Sequence, residues 1–209
     1  MSVLNQIAYF QNRRDEVPNQ ELARELADKK DHEGIREIAE NLWNKEKRIQ
    51  ADCIKVLYEI GYIDPSLVAE YAEDFLKLLR SRNNRLVWGG MTALSTIAAI
   101  RAEELFNHLQ ELHSAIENGS VITVDGGILT LARIASTREE FRGAIFPYLL
   151  NHLKTCRPKD VPQHSEKWLI AVDDRNKSDF IAALETRIDH LSETQKKRVK
   201  KVIKEAEAR

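Results

Sequence analysis

The sequence predicts an all-α fold built from stacked helix pairs. Three observations lead there. Trp88-Gly89-Gly90 recurs as Asp125-Gly126-Gly127, and Leu94, Ile97 and Ala98 recur as Leu131, Ile134 and Ala135, every pair 37 residues apart. A fixed period of that size marks a repeat architecture, in which each unit buries its apolar face against its neighbours. The 209 residues hold only 8 Gly and 5 Pro, which leaves long segments uninterrupted by turns. With 43% hydrophobic residues, the chain can bury a core as one repeat domain over residues 1–209.

Residues 2–12 carry Val3, Leu4, Ile7, Ala8 and Phe10, a short helical stripe. Pro18 suits the first turn of a second helix, because its missing N–H has no partner there. Leu22, Ala23 and Leu26 line that helix. Neither stripe is in register with the repeat, so residues 1–30 are expected to form an N-terminal cap with a polar outer face.

The repeats are expected over residues 31–175. Adding 37 carries Ile35 to Ala72, Leu109 and Phe146; Ile38 to Phe75, Leu112 and Leu149; and Leu42 to Leu79, Ile116 and Leu153. Apolar residues at i, i+3 and i+7 in four units describe the buried face of a first helix. Asn44, Ser81, Asn118 and Thr155 occupy the following turn and are expected to cap the second helix. That second helix is lined by Ile54, Leu57 and Ile60, then Met91, Leu94 and Ile97, then Ile128, Leu131 and Ile134. The fourth copy has drifted to Ser165, Trp168 and Ala171, and Pro158 and Pro162 are expected to shorten its start.

Residues 176–209 are expected to form two C-terminal cap helices. Phe180, Ile181, Leu184, Ile188 and Leu191 line one, and Ser192 caps the other, lined by Val199, Val202 and Ile203. The outer face of the last helix carries Lys196, Lys197, Arg198, Lys200, Lys201 and Lys204, read as a solvated capping face.

The period and the helix pairs resemble HEAT and armadillo-like repeats over about residues 31–175. The resemblance implies a right-handed α–α superhelix whose second helices line a concave surface. The usual turn Asp and following Arg of HEAT units are replaced here, since the Arg position holds Gln50, Val87 and Val124. By the same carry-over, Ala51, Trp88, Asp125 and Pro162 are equivalent concave positions. So are Asp52, Gly89, Gly126 and Gln163, and likewise Cys53, Gly90, Gly127 and His164.

The candidate binding residues are therefore Arg48, Arg85, Trp88, Gly89, Asp125, Gly126 and His164. A charged equivalent at 125 argues that Trp88 faces a groove rather than the core. Each paired glycine costs about 0.8–1 kcal/mol of helix preference relative to Ala. Either close helix packing or access for a ligand offsets that cost, and the sequence leaves both open.

No catalytic constellation is present. His32, His108, His113, His152, His164 and His190 are scattered without HExxH or another metal spacing, and no P-loop, GxGxxG or GxSxG occurs. No metal, cofactor or enzymatic activity is expected. The net charge of −1 counts against a dedicated nucleic-acid binder. Cys53 and Cys156 form no CxxC pair and read as reduced thiols. The N-terminus lacks a signal-peptide pattern and no apolar run approaches about 20 residues, so a cytoplasmic protein is expected, with no membrane partner.

Three functions are compatible with the resemblance; one, a HEAT-type lyase or maturation factor acting on a chromophore or cofactor protein, has no residue here that separates it from simple binding, and the other two are as follows. The first is a non-enzymatic scaffold that binds a protein or peptide in the groove, with Trp88 as anchor. The second is a DNA-binding protein similar to the HEAT-like bacterial DNA alkylation-repair glycosylases, in which concave aromatics and an Asp act on damaged bases; Trp88 and Asp125 match those in type.

Overall fold

A computed structural model describes residues 2–209. Among them there are twelve α-helices and no strand: α1 (Val17–Lys29), α2 (His32–Glu40), α3 (Lys47–Ile63), α4 (Ala72–Leu78), α5 (Asn84–Ile97), α6 (Ala102–Phe106), α7 (Leu109–Asn118), α8 (Val121–Thr137), α9 (Glu139–Thr155), α10 (Val161–Trp168), α11 (Lys177–Glu185) and α12 (Glu193–Glu207). The chain divides into two compact units, Met1–Gly127 and Ile128–Arg209. No helix among the described residues is long and apolar enough to cross a membrane.

The 37-residue rows are rows of burial. Ile35, Ile38 and Leu42 are buried, as are Ala72, Phe75 and Leu79. The second-helix rows are buried in every copy, from Ile54, Leu57 and Ile60 to Ser165, Trp168 and Ala171. Sequence periodicity and burial coincide because a helix presents i, i+3 and i+7 on one face. In the first unit, α3 packs on α1 on one side and on α5 on the other.

Three local features differ from the sequence expectation. The cap begins as a 3-10 turn, Val3–Gln6, rather than a full α-helix. Asn12 then adopts a left-handed conformation (φ 54°), which Asn tolerates better than most residues and which stops a helix there. The third unit splits its first helix into α6 and α7, with Ala102 and Leu105 buried by the short piece.

The capping residues also sit two positions later than expected. Asn44 Oδ1 accepts from the Glu46 N–H at 2.9 Å, and Ser81 Oγ from the Asn83 N–H at 3.1 Å. Those bonds shape the turn; the helix caps are Glu46 for α3 and Asn83 for α5, whose side chains accept from Arg48 and Arg85 N–H. Asn118 and Thr155 instead donate back to carbonyls of their own helices, Ser114 and Asn151. Short polar side chains bond the backbone nearest to them, so a turn residue does not reach a helix three positions on.

In the second unit, α9 carries Pro147 in its interior. A proline ring clashes with the carbonyl four residues earlier. That residue is Gly143, beside which an added Cβ would meet no atom within 4 Å. The two prolines at the start of the fourth copy act as expected: Pro158 opens a 3-10 turn and Pro162 lies in the first turn of a short α10. Ser192 caps α12 in a full capping box with Gln195.

Candidate binding surface

The surface begins with the face of α3 that the core rows leave over. Arg48, Ala51, Lys55, Tyr58 and Tyr62 follow one another at helical spacing along it. Only part of this face is open. Asp52 accepts from the Tyr9 backbone N–H at 2.8 Å and from Asn19 Nδ2 at 3.0 Å, which fastens the N-terminal cap to α3. Asn19, fully buried, in turn accepts from the Ala8 N–H at 2.9 Å.

Lys55 is 7% exposed and lies between two carboxylates, Glu16 at 2.9 Å and Glu59 at 2.6 Å, with its ammonium 4.9 Å from the centre of the Tyr58 ring. Burial alone would lower its pKa; the bonds to Glu59 and Glu16 outweigh that and raise it above the ordinary lysine value. The other oxygen of Glu16 meets Arg85 at 3.2 Å. Glu16 precedes α1 and Arg85 opens α5, on either side of α3. The pair therefore links the segment before α1 to the start of α5, beside Lys55 of α3.

Trp88 follows Arg85 by one turn on α5. It is half-buried, its ring 6.1 Å from that of Tyr58 and tilted by 52°. Tyr58 in turn meets Tyr62 edge-on at 6.0 Å. Three aromatic rings thus run from the exposed end of α3 to α5. Asp125, in the first turns of α8, is half-buried. Arg48 lies over the Tyr9 ring at 5.2 Å and shares with Arg85 a cleft of about 520 Å³, also lined by Arg13, Arg14, Lys47 and Asp52. A second cleft of about 600 Å³ is edged by Trp43, Lys47, Lys77, Arg80 and Arg82.

The glycines pack. A Cβ on Gly89 would sit 2.8 Å from Ile54 Cγ1, and one on Gly90 3.0 Å from both Leu78 Cβ and the Phe75 carbonyl oxygen. On Gly127 it would sit 2.3 Å from Ile116 Cγ1, and on Gly126 3.1 Å from Met91 Cγ. The forgone helix preference is offset by close approach of neighbouring helices. Gly126 is half-buried and Gly89 fully so, and neither offers bare backbone in an open groove.

His164 lies elsewhere, in the second unit, 1% exposed. Its Nδ1 is 2.9 Å from Nε2 of His152. One ring nitrogen of each histidine and Cys156 Sγ all lie within 4.8 Å of one another. Burial pushes the Cys156 thiol up to about 11 and, together with His164, pushes His152 down to about 4. Sequence reasoning missed this cluster, although His152 and Cys156 stand four residues apart at the end of α9 and so share a face.

No family model and no curated protein sequence matches the chain. Solved structures do. A designed armadillo repeat protein in complex with the peptide (KR)4 is similar with a TM-score of 0.69 at 14% identity, over 90% of this chain and 86% of that one. The chain has an armadillo-like helical-repeat fold. A computationally designed armadillo repeat protein for modular peptide recognition matches with a TM-score of 0.67 at 14% identity, over 97% and 98% of the two chains. An engineered protein matches with a TM-score of 0.63 at 16% identity, over 100% and 98%. In this armadillo-like chain the residues that line the α3 and α5 face are Arg48, Arg85 and Trp88. Tyr58, Lys55 and Glu16 shape that face without having been legible as site residues.

Proposed function

We propose that the chain is a binding module that holds an extended segment of a protein partner against the first unit. Half-buried Trp88 carries this reading. Tyr58 packs beside the indole, part of which remains exposed next to the Glu16–Arg85 pair. A rigid, partly desolvated tryptophan is the usual kind of interface anchor. Asp125 extends the surface one layer further as a polar contact.

The charge at the edge argues for an acidic partner segment. Arg14, Lys47 and Arg48 line the first cleft, and Lys77, Arg80 and Arg82 the second. The similar designed armadillo protein was solved with a basic peptide; the edge here is itself basic and so favours a ligand of the opposite charge.

The test is selection of displayed peptides against the immobilised chain, beside its Trp88→Ala variant. Peptides with an apolar side chain flanked by acids should be enriched by the wild type and lost with the variant, whose circular dichroism stays helical. Enrichment indifferent to Trp88 would remove the groove. Labelled duplex DNA is the control. Retention of DNA at about 0.15 M salt that depends on Trp88 and Asp125 would favour the alkylation-repair-like reading.

A further inference from the structure

We propose that His152, Cys156 and His164 form a binding site for a divalent transition-metal ion of the zinc class. The inference concerns the second unit alone and does not rest on the peptide-binding reading.

The donor set comes first. Imidazole nitrogen and thiolate sulfur are the ligands that zinc takes in preference to the oxygen ligands of magnesium or calcium. The three donor atoms already converge, all within 4.8 Å of one another, with the two imidazole nitrogens 2.9 Å apart. Zinc bonds of about 2.0–2.1 Å to nitrogen and about 2.3 Å to sulfur set donors of a tetrahedral site about 3.3–3.6 Å apart. The one facing N–N distance is 2.9 Å and no donor pair exceeds 4.8 Å, so the three side chains already stand close to the separations such a site needs.

The backbone holds the donors in place. The Cys156 N–H donates to the His152 carbonyl at 2.8 Å, which keeps the pair on one helical turn. Arg187, 9% exposed, donates to the carbonyls of Leu153 at 2.9 Å and Cys156 at 2.7 Å, and also to that of Lys154. It thereby clamps the end of α9 that carries Cys156. Pro158 and Pro162 turn the chain tightly enough to return His164 onto the pair. Asp160, held by Arg157 Nε at 2.6 Å, is the nearby acid that acts electrostatically on both His152 and Cys156.

The S–H bond of Cys156 breaks, a sulfur–metal bond forms, and one proton leaves to solvent. The hydrogen shared between the two imidazoles moves to a ring nitrogen that faces away, and both facing lone pairs bind the ion. Three protein ligands leave a fourth position for water, for Asp160 or for another donor.

Cobalt(II) titration of the full chain tests this, because a thiolate on tetrahedral cobalt gives a near-ultraviolet charge-transfer band and intense visible bands. One Co²⁺ per chain is expected, displaced by Zn²⁺. Cys156→Ser should abolish the charge-transfer band, while Cys53→Ser should retain it. His152→Gln should weaken Zn²⁺ binding by more than the ~10–100-fold that loss of a supporting residue causes. Zn²⁺ should raise the melting temperature of the wild type but not of His152→Gln, a readout that stands if Cys156→Ser fails to fold. Absence of stoichiometric binding to the wild type, or a band that survives Cys156→Ser, would overturn the site and leave a hydrogen-bonded histidine pair in the core.

Discussion

Glu16 and Arg85, 69 residues apart in sequence, meet at 3.2 Å over the face of α3, and the other oxygen of Glu16 meets the buried ammonium of Lys55 at 2.9 Å. The N-terminal cap is thus joined to the second and third rows of helices through one carboxylate. Glu16 ties two cations of the candidate surface together and offsets the charge of the buried one.

That arrangement predicts an asymmetry. Removing one partner of a buried pair is costly because an uncompensated charge remains, whereas replacing the charge itself with an apolar group is often near neutral. Lys55→Met keeps the stem and leaves Glu16 and Glu59 in reach of water, so it should change stability by less than about 1 kcal/mol. Glu16→Gln alone should cost about 1 kcal/mol, since Glu59 remains and Glu16 itself is partly solvated. Glu16→Gln with Glu59→Gln should cost about 3 kcal/mol or more. Urea unfolding measures all three. The sign with pH follows from the raised pKa of Lys55. A cation whose folded pKa exceeds its unfolded value contributes fully below about pH 10.4. Its contribution erodes only as the pH rises beyond that, so the double variant should narrow its deficit in strong alkali.

The glycines give a second, opposed pair of outcomes. Gly143 is helical and an added Cβ meets nothing, so Gly143→Ala should stabilise by about 0.5–1 kcal/mol. Gly127→Ala drives a Cβ to 2.3 Å from Ile116 Cγ1 and should destabilise by about 1–3 kcal/mol. Thermal unfolding of the two variants side by side decides it. Equal effects would mean that the neighbours of Gly127 give way freely.

How far the chain could be read from its residues follows from the same geometry. The buried rows were legible because one period governs both spacing and burial, as in Ile54, Met91 and Ile128. The caps at Glu46 and Asn83 were not, because Asn44 and Ser81 are equally good acceptors and only the turn geometry decides which N–H each reaches. Trp88 is half-buried beside the fully buried rows, and its support by Tyr58 comes from the preceding layer, which no residue pattern around position 88 discloses. Glu16 lies outside the repeat register, so no addition of 37 leads to it. His152 and Cys156 share a helix face by spacing alone, yet His164 joins them only through the path of the proline-bearing turn.

His113 offers a titration. Burial lowers its pKa below 6.5, and the negative charge of Glu117, one turn on, works the other way. Its imidazole signal in NMR should therefore have a midpoint under 6.5. Glu117→Gln should move that midpoint lower still. A histidine with a depressed folded pKa binds fewer protons when folded, so its contribution to stability is full above about pH 6.5 and falls as the pH drops through that value. A midpoint at or above 6.5 would mean that water reaches the ring.

Trp88 and Trp168 make the last comparison. Trp168 is fully buried, against Phe146 at 5.0 Å and Phe180 at 5.1 Å, and its Nε1 has no hydrogen-bond partner. Trp168→Ala should cost about 3–5 kcal/mol, the range for emptying a large core site. Trp168→Phe should cost markedly less, because it removes the orphaned N–H along with the lost volume. Trp88 is half-buried, so Trp88→Ala should cost about 1–2 kcal/mol, below the core range. Chemical unfolding of the three variants, with helical content read by circular dichroism, separates the roles. If Trp88→Ala costs as much as Trp168→Ala, the indole at position 88 belongs to the core and the binding surface loses its anchor.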